Sequence, residues 1–179
     1  MTRVGSEYAQ ALYSLAKDEG LSERLLDETR LLRQVLSENP DYLKVLSAPN
    51  LSKQERCAAL DECLRGRVHP YLLNFAKILT EKGYARHMIE CCDAYEALYN
   101  EDCGILTVTA VTAVPLTGEQ SERLCAKLQQ MTGKRISMSN SVDPACLGGV
   151  RLDYDGKRVD DTVRHRLDAL ASLLHNTML

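Results

Sequence analysis

The sequence of 179 residues has no tryptophan, a single phenylalanine and no surplus of positive charge. It carries 22 basic and 25 acidic side chains, so its formal net charge is −3. A surface that binds nucleic acid is normally basic, and this balance therefore disfavours that class of protein. The hydrophobic content of 45% still supports a real core, and the charged fraction of 26% is ordinary for a globular protein.

Long apolar runs are also missing. No stretch approaches the ~20 apolar residues that a helix needs to cross a bilayer. The chain opens with MTRVGSEYAQALYSLA, which has no apolar segment of the kind found in a signal peptide. We therefore expect a soluble, cytoplasmic protein that does not insert into a membrane, although it can still dock on a membrane complex.

The cysteine pattern argues against a metal site and against catalysis. No CxxC occurs, and the four histidines are not at ligand spacing from the seven cysteines, at positions 57, 63, 91, 92, 103, 125 and 146. The thiols are interpreted as small apolar fillers. A thiol enzyme built on Cys91-Cys92 is a rival hypothesis, but neighbouring residues on a helix point in different directions. No catalytic triad or cofactor motif can be assembled, so the sequence predicts no catalytic, cofactor-binding or metal-binding residues.

The first hundred residues are typical of short helices separated by clear stop signals. Gly20 ends the first helix, Asn39-Pro40 begins the third, and Ser52 with Glu55 forms a capping box before the fourth. Pro70 begins a fifth helix that is apolar around more than half of its surface and is therefore expected to be central. A second helix is expected over 21–37 and a sixth over about 86–101.

The pattern changes at Gly104. Alternating β-branched residues after it predict a strand that ends at Pro115, and Thr117 with Gln120 caps a following helix. A further strand is expected around Ile136 and Met138.

The C-terminal segment predicts a hairpin followed by a helix. Asp155-Gly156 suits a tight two-residue turn after the alternating strand 150–154. Asp160 or Asp161 can then cap a last helix. The pair Gly148-Gly149 lacks the pattern of a phosphate loop and is interpreted as a bulge or a tight start to the strand.

These elements predict an α+β fold of two domains. Residues 1–104 are expected to form an antiparallel six-helix bundle, and residues 105–179 a small domain of β-sheet and helix. An RNA-binding or regulatory helical-bundle module is the alternative function, and it would need a basic stripe that the sequence lacks.

In this order, the elements resemble the delta-subunit (oligomycin-sensitivity-conferring protein) family of F-type ATP synthases. The resemblance covers essentially the whole chain. It rests on YAQALYSLA at 8–16, LKVLSAPNLSKQER at 43–56, LLNFAKILTEKG at 72–83, and Asp143 followed by LGGV at 147–150 and GKRVDDTVRHRL at 156–167. One departure is Asp161, since the family often has glycine there.

The resemblance implies a non-catalytic stator subunit, present in one copy per complex at the cytoplasmic face of the cell membrane. Residues 1–104 would bind the N-terminal helix of an alpha subunit, and residues 105–179 the C-terminal end of the peripheral-stalk b subunit. The subunit would link the catalytic head to the stalk so that proton flow drives ATP synthesis.

Two sets of apolar residues are candidates for these contacts, and for each the alternative is burial in the core. The alpha-binding candidates are Tyr8, Leu12, Leu15, Ile78 and Leu79. The stalk-binding candidates are Leu170, Leu173 and Leu174. Leu173 lies off the apolar stripe that Leu170 and Leu174 share with Leu167, so it is the sharper choice of the three.

Overall fold

The computed structural model describes residues 3–48, 51–154, 156–165 and 167. Its contacts divide the chain into two compact units, Met1–Tyr99 (unit 1) and Asn100–Leu179 (unit 2). Helices fill the described part of unit 1, and a four-stranded sheet with a helix packed against it forms the described part of unit 2. The α+β class predicted from the sequence is confirmed.

The helical region closely follows the stop and start signals in the sequence. Its α-helices are α1 (Arg3–Asp18), α2 (Ser22–Glu38), α3 (Pro40–Leu46), α4 (Lys53–Leu64), α5 (Pro70–Glu81) and α6 (Met88–Asp102). A 3₁₀ turn over Ala85–His87 precedes α6, which therefore starts two residues later than expected. At α4, the Glu55 backbone N–H donates to the Ser52 hydroxyl at 3.2 Å, and the Ser52 N–H donates to the Glu55 carboxylate at 2.8 Å. The predicted capping box is confirmed.

The core of unit 1 is built around α5 and two buried tyrosines, Tyr13 and Tyr95. Helix α5 contacts α1, α2 and α4, as its apolar surface predicts. Tyr95 of α6 is fully buried, and its ring meets that of Tyr13 edge-on at 5.4 Å between centroids. Its hydroxyl donates to the Ser22 carbonyl at 3.1 Å, so the polar tip is satisfied inside the core.

Unit 2 contains β1 (Ile105–Thr112), α7 (Gly118–Thr132), β2 (Arg135–Val142), β3 (Val150–Tyr154) and β4 (Lys157–Asp160). The strand order is β2-β1-β3-β4, with β1 parallel to β2 and antiparallel to β3. The parallel pair follows from α7, because parallel neighbours need a crossover connection and α7 supplies it. Residues Val108 and Ala110 of the central strand are fully buried.

The hairpin predicted in the C-terminal segment is confirmed. Strands β3 and β4 pair antiparallel, with Tyr154 opposite Lys157, and Gly156 has φ +70° in the turn. The predicted cap of the next helix is corrected. The His165 N–H donates to the Thr162 hydroxyl at 3.2 Å, so Thr162 caps a helix that begins at Val163. Asp160 instead accepts from both the N–H and the hydroxyl of Thr162 and so orients the cap.

Candidate protein-binding surfaces

Helices α1 and α5 contact each other, and each exposes an apolar side chain. Leu15 of α1 is 40% exposed and Ile78 of α5 is 45% exposed. Tyr8 is half-buried, and its ring lies 6.0 Å from that of Tyr84, which follows α5. We call this set of residues, made of Tyr8, Leu15 and Ile78, the α1/α5 face. It is the part of the predicted alpha-binding set that an incoming helix could reach.

Two members of the predicted set lie elsewhere. Leu12 is only 5% exposed and Leu79 is completely buried, and both belong to the core cluster of unit 1. For these two residues the structure supports the core alternative, because their side chains pack against neighbouring helices. Sequence spacing alone could not separate Leu79 from Ile78, because both lie within the apolar surface that covers more than half of α5.

The predicted stalk-binding residues Leu170, Leu173 and Leu174 lie outside the described residues. The β3–β4 hairpin, which is described and precedes these residues in the sequence, is strongly charged. Arg158 donates to Asp153 at 2.8 Å, and Arg151 donates to the same carboxylate at 3.3 Å. The hydrogen bond from Arg158 is the main cause that lowers the pKa of Asp153. This ion cluster holds the two strands in register across their exposed face.

A third surface was not predicted from the sequence. An apolar groove of about 630 Å³ runs between α2, α3 and the end of α4, and we call it the α2–α3–α4 groove. Its apolar rim includes Leu31, Val35 and Val45, which are 55%, 44% and 44% exposed. In the sequence, Val35 is one of the apolar residues of the second helix that are available for burial. The sequence contains one signal for this groove. Leu31 and Val35 lie four residues apart on the same helix, next to the buried residues Leu32 and Leu36.

Comparisons with known proteins identify the family. The family profile described as "ATP synthase delta (OSCP) subunit" matches residues 4–174. The chain belongs to this family. The ATP synthase subunit delta of Chlorobium chlorochromatii is 30% identical over 167 residues, covering 93% of each chain. That of Lactobacillus gasseri is 31% identical over 172 residues, covering 96% of this chain and 94% of its own.

The fold also agrees with that of a chain in a solved ATP synthase structure. A chain of the Toxoplasma gondii mitochondrial ATP synthase hexamer superposes with a TM-score of 0.76 at 22% sequence identity. The superposition covers 97% of this chain and 98% of that one. The two chains therefore share the mixed helical and sheet architecture.

Members of the delta family are non-catalytic stator subunits of F-type ATP synthase, and this chain has that function. The alternative of an RNA-binding or regulatory helical module finds no support. Among the residues that the structure describes, no helix is long and apolar enough to span a membrane. Within the same residues, no group of three or more His, Cys, Asp and Glu side chains is arranged to hold a metal ion.

The adjacent cysteines of α6 have the properties of core thiols. Cys91 is 1% exposed and Cys92 is 3% exposed. Burial raises the pKa of the Cys91 thiol from 9.0 to about 11, and burial raises that of Cys92 to about 12. Because the thiolate is the reactive form, the burial and the raised pKa of Cys91 and Cys92 both suppress nucleophilic chemistry at these two thiols.

We predict that iodoacetamide modifies the exposed Cys63 and Cys103 of the native protein first and leaves Cys91 and Cys92 unmodified. Peptide mass spectrometry over a time course measures this order. Alkylation of the unfolded chain in urea is the control, because there all seven cysteines should react alike. Rapid modification of Cys91 or Cys92 in the native protein would revive the thiol-enzyme hypothesis.

Proposed function

We propose that the chain connects the catalytic head of F-type ATP synthase to its peripheral stalk through two separate contacts. The region 1–104, acting as an antiparallel six-helix bundle, binds the N-terminal helix of an alpha subunit on the α1/α5 face. The region 105–179 binds the C-terminal end of the b subunit, with Leu170, Leu173 and Leu174 as contact residues. One copy acts per complex, peripherally, at the cytoplasmic face of the cell membrane.

The observation that carries the first contact is the exposure of Leu15 and Ile78 on two helices that pack against each other. An amphipathic partner helix packs its apolar residues against such a face, which is the usual way in which one helix binds a groove. Each aliphatic side chain that becomes fully buried contributes about 1.5–3 kcal/mol before ordering costs are subtracted. Tyr8 adds a ring with a polar tip, a combination that suits an interface.

This chemistry suits a stator. A subunit that resists the torque of the rotor must stay bound through many rotations, so a slow dissociation rate matters more than fast association. Differences in apolar burial between related interfaces change mainly the dissociation rate. Two attachments on one chain also raise the local concentration of each partner after the other has bound.

Calorimetric titration of the full chain with a peptide of about twenty residues from the N-terminus of the cognate alpha subunit tests the first contact. We expect Leu15→Glu and Leu15→Lys each to weaken binding at least tenfold, because either charge would have to be desolvated. Both substitutions should leave the folded chain intact, since the side chain is 40% exposed.

The matched control is Met131→Glu, which places the same charge on a side chain that is 75% exposed on α7. It should not change the affinity for the alpha peptide. The absence of binding by the wild-type chain would contradict the proposed contact, as would equal affinity of the wild-type and both Leu15 variants. If Leu15→Glu bound the alpha peptide more weakly and Leu15→Lys bound it more tightly than the wild type, charge and not apolar burial would drive the contact.

A further inference from the structure

The α2–α3–α4 groove is a continuous apolar surface on unit 1. Single exposed apolar side chains are common on proteins, but here Leu31, Val35 and Val45 surround one groove whose floor continues into the core through Leu32 and Leu36. A contiguous apolar patch with a polar rim marks a binding surface. This surface is separate from the α1/α5 face, and the proposed alpha contact leaves it unused.

The walls of the groove are held in place by contacts on their far sides. Arg30 of α2 donates to Glu96 of α6 at 2.7 Å, and Arg33 donates to Asp93 at 2.9 Å. These pairs connect α2 to α6, while Leu32 and Leu36 occupy the buried stripe of α2 and leave Leu31 and Val35 exposed. On the opposite wall, the Tyr42 hydroxyl donates to the Ala59 carbonyl at 3.2 Å and ties α3 to α4. The groove is therefore formed before any partner binds.

Charge is distributed unevenly along the groove. Arg67 lines it and has no ion-pair partner among the described residues. The backbone N–H of His69 donates to Glu28 at 2.6 Å, which places the Arg67 segment beside the middle of α2. Glu38 and Asp41 line the groove where α2 ends, and the carbonyl groups at the end of α2 add partial negative charge there. One end is thus cationic and the other anionic.

We propose that the α2–α3–α4 groove binds one amphipathic helix of a partner protein, lying parallel to α2. The first turn of that helix carries acidic side chains that meet Arg67. Its last turn carries lysine or arginine that meets Glu38 and Asp41, although Asp41 also pairs with Lys44 at 2.7 Å. This charge order matches the dipole of the incoming helix, which favours acidic residues at its start and basic residues at its end.

The size of the groove fits such a helix. The residues of α2 that line the groove, from Leu31 to Glu38, span about 10 Å, or roughly two turns. Apolar residues at i, i+3, i+4 and i+7 of a partner helix cover that length and would pack against Leu31, Val35 and Val45. The partner chemistry is therefore a short helix with one apolar stripe and an acidic-to-basic gradient along its axis.

Fluorescence anisotropy with designed peptides tests the orientation. One labelled peptide has Glu in its first turn, Leu along one stripe and Lys in its last turn, and its counterpart exchanges the Glu and Lys positions. The full chain should bind the acidic-first peptide at least fivefold more tightly. Arg67→Glu should abolish this preference, because both ends of the groove are then anionic, and Val35→Glu should weaken both peptides at least tenfold. Equal affinity for the two peptides, or an unchanged affinity in Val35→Glu, would overturn the proposal.

Cysteine footprinting locates the peptide on the wild-type chain. Cys63 lines the groove, whereas Cys103 is exposed elsewhere and serves as the internal control. The acidic-first peptide should slow the alkylation of Cys63 severalfold and leave that of Cys103 unchanged. Ile78→Glu should not alter this protection, which separates the groove from the α1/α5 face. The proposed groove site would be overturned if the peptide did not protect Cys63 from alkylation, or if this protection disappeared in Ile78→Glu. Either result would count against the groove even if the alpha peptide binds the α1/α5 face as proposed.

Discussion

Replacing Leu79 with alanine is expected to lower the free energy of unfolding by about 2–5 kcal/mol, because a completely buried leucine leaves a cavity when it is truncated. Leu79 lies on α5, the helix that contacts α1, α2 and α4, so the surrounding side chains cannot collapse into the space without moving several helices. Urea unfolding followed by circular dichroism measures the change as a lower midpoint at an unchanged slope.

The adjacent Ile78 is the matched control. The same kind of substitution there should leave the stability of the chain nearly unchanged and weaken peptide binding. Ile78 is 45% exposed, so Ile78→Ala should change the free energy of unfolding by less than about 1 kcal/mol. It should instead weaken the binding of the alpha peptide, since it removes an apolar side chain from the α1/α5 face.

Together the two variants separate core from surface on α5. If Leu79→Ala left stability unchanged while abolishing peptide binding, the burial of Leu79 in the free protein would be wrong and the full predicted set would face the partner. If Ile78→Ala unfolded the chain, the α1/α5 face would be part of the core. We expect Leu79→Ala to lose stability and Ile78→Ala to lose peptide binding. This pair of results follows only from the observed burial of the two side chains.

Local signals in the sequence predicted most of the fold. Proline at the start of α3 and α5, the capping boxes at Ser52 and Thr117, and the Asp155-Gly156 pair each act through the backbone of a few neighbouring residues. Their effect does not depend on the rest of the molecule. For this reason, the element order predicted from 1 to 160 agrees with the structure to within a few residues.

Features that depend on distant residues could not be predicted in the same way. Nothing in the sequence of β1 indicates that it lies between β2 and β3 in the sheet. Val35 looks like a core residue, but it is 44% exposed because Leu32 and Leu36 occupy the buried stripe of α2. The α2–α3–α4 groove exists only when three helices are placed together, so its signal is spread over separate segments of the chain.

Gly149 is the clearest case of a residue whose role depends on distant parts of the chain. Its replacement is the second change for which we expect a large effect. The sequence suggested a bulge or a tight start to β3, and Gly149 has φ +80°, which favours glycine. The sequence could not show which atoms lie next to Gly149 in the folded chain. A Cβ on Gly149 would lie 2.5 Å from the backbone carbonyl oxygen of Asp161 and 3.0 Å from the Cα of Thr162. Both atoms belong to the backbone and cannot rotate away as a side chain would.

Two hydrogen bonds keep this loop against the start of the last helix. The Asp161 N–H donates to the Val150 carbonyl at 3.2 Å, and the Val163 N–H donates to the Gly148 carbonyl at 3.0 Å. Relief of the clash in Gly149→Ala would stretch these bonds and disturb the Thr162 cap. We therefore expect a loss of about 2–5 kcal/mol in the stability of unit 2, from left-handed backbone strain and overpacking together.

Gly156→Ala is the control that separates these two causes. Gly156 has φ +70°, but no heavy atom lies within 4 Å of the position of its Cβ. This variant should show only the backbone strain, about 1–2 kcal/mol. Hydrogen exchange of the β1 amides reports the opening of unit 2 and should accelerate far more in Gly149→Ala than in Gly156→Ala. Equal acceleration in the two variants would mean that the contact with Asp161 contributes nothing, and that the loop before β3 is free to move away from the helix start.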